Sequence, residues 1–142
     1  MALVSTKQGR MEDLKLMLGQ DLVLHLYVND FIPDYDSAVE DFDEVGKESY
    51  IQKVLLPNEW DFDFSPKDNP VAVYPEITFK FLAAGFTVYG YFVTSKEGTV
   101  VRWAERFPKN EHYDIFRQGD ALILRIRCEL SGFQERKKKA IH

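Results

Sequence analysis

Apolar and polar residues alternate through much of this chain, and the alternation predicts strands. Leu22, Leu24, Leu26 and Val28 fall on one face of a stretch whose other face holds Val23, His25 and Tyr27. A period of two is the signature of a strand with one face in a core. The densest such pattern is Phe86–Phe107. Its first arm, Phe86–Thr94, is rich in β-branched and aromatic residues, which suit a pleated half-buried surface. Ser95-Lys96-Glu97-Gly98 is short and polar, and Gly98 can supply the positive φ of a type I turn with a G1 bulge. The second arm, Thr99–Phe107, carries Trp103. The stretch therefore predicts a β-hairpin.

The longest clean alternation is Ala121–Leu130. It sets Leu122, Leu124, Ile126, Cys128 and Leu130 against Ile123, Arg125, Arg127 and Glu129. Ser49–Leu56 predicts another strand, ended by Pro57-Asn58. Val71–Leu82 predicts one or two segments interrupted at Pro75, since proline donates nothing to a ladder. Tyr113–Phe116 predicts a brief strand before the turn Gln118-Gly119-Asp120. Trp60, Phe62 and Phe64 read as crossing a loop rich in Asp and Pro. One segment differs: Leu14, Met17 and Leu18 have helical spacing, which predicts a short helix over Met11–Leu18 that starts after Gly9 and ends at Gly19. A helix that short needs a surface to dock on, either the chain's own sheet or a neighbouring subunit. Six to eight short strands with one helix predict a mainly β fold. We expect a single-domain antiparallel β-sandwich or jelly-roll over 21–132, an N-terminal arm with a short helix over 1–20, and a basic tail over 133–142.

Composition adds three points. The 142 residues are 45% hydrophobic and 14% aromatic, enough for a real core. The net charge of −5 disfavours nucleic acid as main partner, because phosphate binding needs a clustered basic surface. No apolar run approaches the length of a membrane span and no secretory segment follows Met1, so a protein made in a reducing cytosol is expected. Cys128 is the single cysteine, and its apolar neighbours predict a buried, inert thiol.

Candidate chemistry is sparse. His25, His112 and His142 form no zinc-binding pattern, and no nucleophile elbow or phosphate loop is present. Asp34, Asp36, Glu40, Asp41, Asp43, Glu44 and Glu48 crowd one loop, with Lys47 the only cation. Calcium favours such oxygen ligands, but the spacing lacks the EF-hand order, so a solvated acidic loop anchored by Phe42 and Val45 is the default. Glu76 and Glu105 are the carboxylates for any glycoside hydrolysis; acidic residues on strands more often face solvent. Trp60, Trp103, Tyr27, Tyr89 and Tyr91 form either a sugar-stacking platform or core filling. Arg136, Lys137, Lys138 and Lys139 make a solvated terminus, an arm toward an acidic neighbour, a partner for the 34–48 loop of another copy, or a nucleic-acid contact. No residue is assigned as catalytic, cofactor-binding or metal-binding.

Several stretches taken together resemble small structural proteins of tailed bacteriophages. They are LVLHLYVNDFIP (22–33), DFDEV (41–45) with SYIQKVLL (49–56), Trp60, TVYGYFVT (87–94), WAERF (103–107) and DALILRIRCELS (120–131). In that family a strand and turn lead to an acidic segment and a Gly-Tyr pair. A Trp follows, and later a Tyr-Gly-Tyr hairpin with an Ala-Glu-Arg-Phe-like second arm. The order matches; the chain departs at Glu48-Ser49-Tyr50, where the glycine is missing. The resemblance implies a non-enzymatic virion component that needs no cofactor. Its first-choice role is a capsid decoration or cement protein, bound to the major capsid protein and to copies of itself. A tail, baseplate or fibre attachment role, with glycan binding, is the alternative. It also implies that the N-terminal segment and the basic tail become ordered on assembly.

Overall fold

A computed structural model describes residues 3–108 and 111–131. The basic tail lies outside the described residues. The elements in chain order are α1 (Lys7–Leu18), β1 (Leu22–Tyr27), β2 (Lys53–Leu55), β3 (Asp61–Phe64), β4 (Pro70–Val73), β5 (Ile77–Lys80), β6 (Phe86–Val88), β7 (Gly90–Ser95), β8 (Val101–Arg106), β9 (Tyr113–Ile115), β10 (Ala121–Leu124) and β11 (Arg127–Glu129). All the strand pairings are antiparallel. The fold is thus the mainly β, sandwich-like class that the alternation predicts, with one helix near the N-terminus. The chain forms two compact units. Of the described residues, the first takes those up to Gln20, Pro57–Glu76 and those from Arg125; the second takes those of Asp21–Leu56 and Ile77–Leu124.

In the first unit, α1 lies on a three-stranded sheet ordered β11-β4-β3. Met11, Leu14 and Leu18 are its buried residues. Lys15 and Lys7 place their ammonium groups over the rings of Phe62 and Phe64, at 5.7 and 4.4 Å. Arg10 donates to the Leu130 carbonyl. The helix therefore docks on the chain's own sheet. It begins at Lys7 rather than Met11, because Thr6 caps it: the Thr6 hydroxyl accepts from the Gly9 N–H at 3.0 Å. Such a cap offsets the roughly 1 kcal/mol by which glycine disfavours a helix. The aromatic stretch expected to cross a loop is instead β3, whose Phe62 sits opposite Ala72 of β4.

The second unit is built on a four-stranded sheet ordered β2-β1-β7-β8, with two smaller pairs, β10-β5 and β6-β9. The hairpin turn is as expected: Gly98 has φ +75° and donates to the Ser95 carbonyl at 2.9 Å. Its first arm is not continuous. Phe86–Val88 leaves to pair with β9, and the chain kinks at Tyr89, whose N–H bonds the Tyr27 carbonyl at 2.9 Å. Gly90 permits the close approach of its neighbours here, since a Cβ would lie 2.3 Å from the Glu105 carbonyl oxygen and 2.6 Å from the Tyr27 hydroxyl. Ala121–Leu130 is likewise two strands, with β10 pairing β5 and β11 pairing β4. Burial still alternates through the break at Leu122, Leu124 and Ile126, so periodicity carries no mark of it. Of Ser49–Leu56 only Lys53–Leu55 forms a strand. Both faces of β1 are largely buried, with Leu22, Leu24 and Leu26 on one and His25 and Tyr27 on the other, where Phe42 meets Tyr27.

Candidate functional site

Five polar side chains converge on the covered face of the β2-β1-β7-β8 sheet and its margin. β1 sets the His25 ring flat on Phe92 of β7, with centroids 4.6 Å apart and planes 10° apart. Its Nδ1 lies 3.0 Å from Glu44 Oε2, and its Nε2 lies 2.8 Å from the Thr94 hydroxyl. The Tyr50 hydroxyl and the Gln52 amide donate to the same Glu44 oxygen, at 2.5 and 2.7 Å. Tyr50 also accepts from the Leu26 N–H at 3.2 Å. Glu44 reaches this place because the acidic loop folds back along β1. Val28 N–H bonds the Asp43 carbonyl at 2.8 Å and Val45 N–H bonds the Leu26 carbonyl at 2.9 Å. Phe42 then stacks on Phe92 at 4.6 Å and meets Tyr27 edge-on at 5.1 Å.

Burial works to raise the Glu44 pKa. The hydrogen bonds from His25, Tyr50 and Gln52, with the charge His25 can carry, outweigh it and hold the carboxyl below its ordinary range. Burial and the adjacent Glu44 carboxylate push the Tyr50 phenol up. A carboxylate facing Nδ1 and a hydroxyl facing Nε2 is the order of groups found in acyl-transfer triads. Here the hydroxyl is sealed: Thr94 is 0% exposed and His25 6%. An attacking oxygen needs a substrate carbon within contact distance, and no substrate reaches Thr94. The set ties a loop to a sheet by satisfying polar groups that would otherwise be costly to bury.

The residues singled out in the sequence scatter. Glu76 is exposed in the first unit and pairs with Arg125 at 2.7 Å, while Glu105 is exposed on β8 of the second. Tyr27, Tyr91 and Trp60 are core residues; Tyr89 and Trp103 are half-buried. Trp60 meets Tyr74 edge-on at 5.0 Å. His112 lies edge-on to Tyr89 at 4.7 Å. Cys128 is half-buried on β11 rather than buried. Phe42 and Val45 anchor the acidic loop as expected. Several of its carboxylates close local turns: Asp34 accepts from the Asp36 N–H at 2.9 Å and Asp41 from the Ala38 N–H at 2.8 Å. Among the described residues no group of three or more His, Cys, Asp and Glu is placed to hold a metal ion. No described helix is long and apolar enough to cross a membrane. The polar set itself was hidden in the sequence; its one trace is Glu44 set between the apolar anchors Phe42 and Val45. No family model, no curated protein and no solved structure matches the chain.

Proposed function

We propose that this protein is a non-enzymatic structural component of a tailed-phage virion, a decoration protein that binds the outer face of the capsid shell. The family reading rests on the ordered stretches quoted above, three of which contain His25, Glu44 and Tyr50. The single observation that favours a docking role is the apolar surface of the second unit. Ile51, Leu82 and Phe116 are 68%, 51% and 78% exposed. Their turns are tied to one another: Leu82 N–H bonds the Ser49 carbonyl at 2.7 Å, Phe81 N–H the Asp120 carbonyl at 2.9 Å, and Gly85 N–H the Ile115 carbonyl at 2.8 Å. Exposed apolar side chains gathered in one region mark surfaces that meet other proteins. The sealed imidazole–carboxylate–hydroxyl set supports a scaffold over an enzyme. Immunogold electron microscopy on phage particles tests the reading. Gold spread over the head is expected. Gold confined to the tail would move the protein to an attachment role, and unlabelled particles beside abundant protein in infected cells would overturn the virion reading.

A further inference from the structure

Residues 42–45 are held by two kinds of contact. One is apolar, the insertion of Phe42 against Phe92 and Tyr27. The other is polar and converges on a single oxygen, Glu44 Oε2, reached by His25, Tyr50 and Gln52. The segment bridges β1 at Tyr27↔Glu44, on the edge opposite β7 and therefore in line with β2, which pairs residues 22–24 of the same edge. Two further bonds bracket it, from Asn29 Nδ2 to the Asp41 carbonyl at 3.0 Å and from Asp43 N–H to Asn29 Oδ1 at 2.8 Å.

We infer that this segment is an acid-released strap, with Glu44 as its clasp. Protonation of Glu44 removes the negative charge that three donors converge on. That change acts in the direction of opening. The titratable groups facing the clasp are His25 from β1 and Tyr50 from the segment before β2. β7 contributes the Thr94 hydroxyl and the Phe92 ring, and Gln52 contributes a neutral amide. The carboxyl is held below its ordinary range while the strap is closed, so closing is favoured above that range and the advantage fades as pH falls through the depressed value. Opening bares the Tyr27 and Phe92 rings and the free edge of β1 at residues 26–28. An unpaired edge beside an apolar face is a surface on which another strand can add.

Hydrogen–deuterium exchange on the full chain tests this, with labelling times scaled for intrinsic rate, from neutral pH down through the carboxylate range. Val28 and Val45 amides should lose protection before those of Leu24 and Phe92, by about tenfold for each unit by which the carboxyl is depressed. Glu44→Gln should show the acid pattern at neutral pH and little further change on acidification. Should that variant not fold, Tyr50→Phe removes one donor and should move the opening midpoint to higher pH. Loss of protection at Val45 only together with the whole sheet would overturn the proposal. So would a Tyr50→Phe midpoint that stays put or falls.

Discussion

At the scale of single residues, Gly90 and Tyr27 define one contact from two sides. The Tyr27 ring lies where a Gly90 side chain would be, 2.7 Å from its ideal Cβ at Cε1, and the Glu105 carbonyl closes the other side. Neither β7 nor β8 backbone can yield without breaking the ladder that joins them. Gly90→Ala should therefore lower unfolding free energy by about 3 kcal/mol, as overpacked cores do. A chemical denaturation midpoint close to that of the parent chain would refute the close approach. Tyr27 itself donates to the Phe31 carbonyl at 2.9 Å. Burial lifts its phenol to about 12, against a pull downward from Arg106 and a further rise from Asp30 and Glu105. The neutral phenol is the form the fold prefers. Its contribution is complete below the ordinary value of 10.0 and is lost as pH rises toward about 12. Ultraviolet titration should show Tyr27 and Tyr50 ionising late, and Tyr27→Phe should remove one of those late ionisations at a stability loss of about 1 kcal/mol.

At the scale of elements, α1 is the clearest case of a segment whose limits and role are set by its two ends and its buried stripe. Thr6 starts it, Gly19 ends it with an N–H to the Leu16 carbonyl at 3.3 Å, and Leu14 and Leu18 are almost wholly buried. Thr6→Ala should cost about 1 kcal/mol through the lost cap. Leu14→Ala should cost about 3 kcal/mol, because it removes apolar burial and leaves a void. Thermal or urea unfolding of the two variants checks both, and a larger loss for Thr6→Ala than for Leu14→Ala would contradict the docked helix. The outer side of the same helix holds Leu16, which is 75% exposed, so Leu16→Ser should leave stability nearly unchanged.

At the scale of the whole molecule, each compact unit is assembled from separated stretches of chain. Most of their pairings join residues distant in sequence, such as β1 with β7 and β4 with β11. Pairings of that kind fold slowly, because loop closure precedes the contacts that reward it. The surface carries the functional proposal. Leu82→Ser with Phe116→Ser should retain the melting temperature of the parent chain and lose co-sedimentation with intact phage shells. Retained binding would remove this surface from the docking role. Removing residues 2–5, where Leu3 and Val4 are 99% and 86% exposed, should weaken the same binding without touching the core.

The class of fold was legible along the chain because a period of two survives translation into pleated strands. The Leu22–Val28, Val71–Leu82 and Tyr113–Phe116 readings needed only that period and the turn chemistry around Pro75, Gly98 and Gly119. Gly98 and Gly119 do adopt the positive φ that only glycine takes without strain. Where strands change partners, the pattern is silent. Leu122, Leu124 and Ile126 stay buried while the pairing passes from β5 to β4, and hydropathy records burial but not the neighbour that supplies it. Phe86–Thr94 hides its break for the same reason, save for the glycine. The polar set is the extreme case. His25, Glu44, Tyr50 and Thr94 stand up to 69 positions apart, and each taken alone is an ordinary strand or loop residue. Their meeting depends on a loop folding back along β1, a non-local event driven by Phe42 and Val45 entering the core. Alternation along a strand is a local property and can be read locally; the closing of one charge by donors 6, 8 and 19 positions away exists only once the loop has folded back along β1.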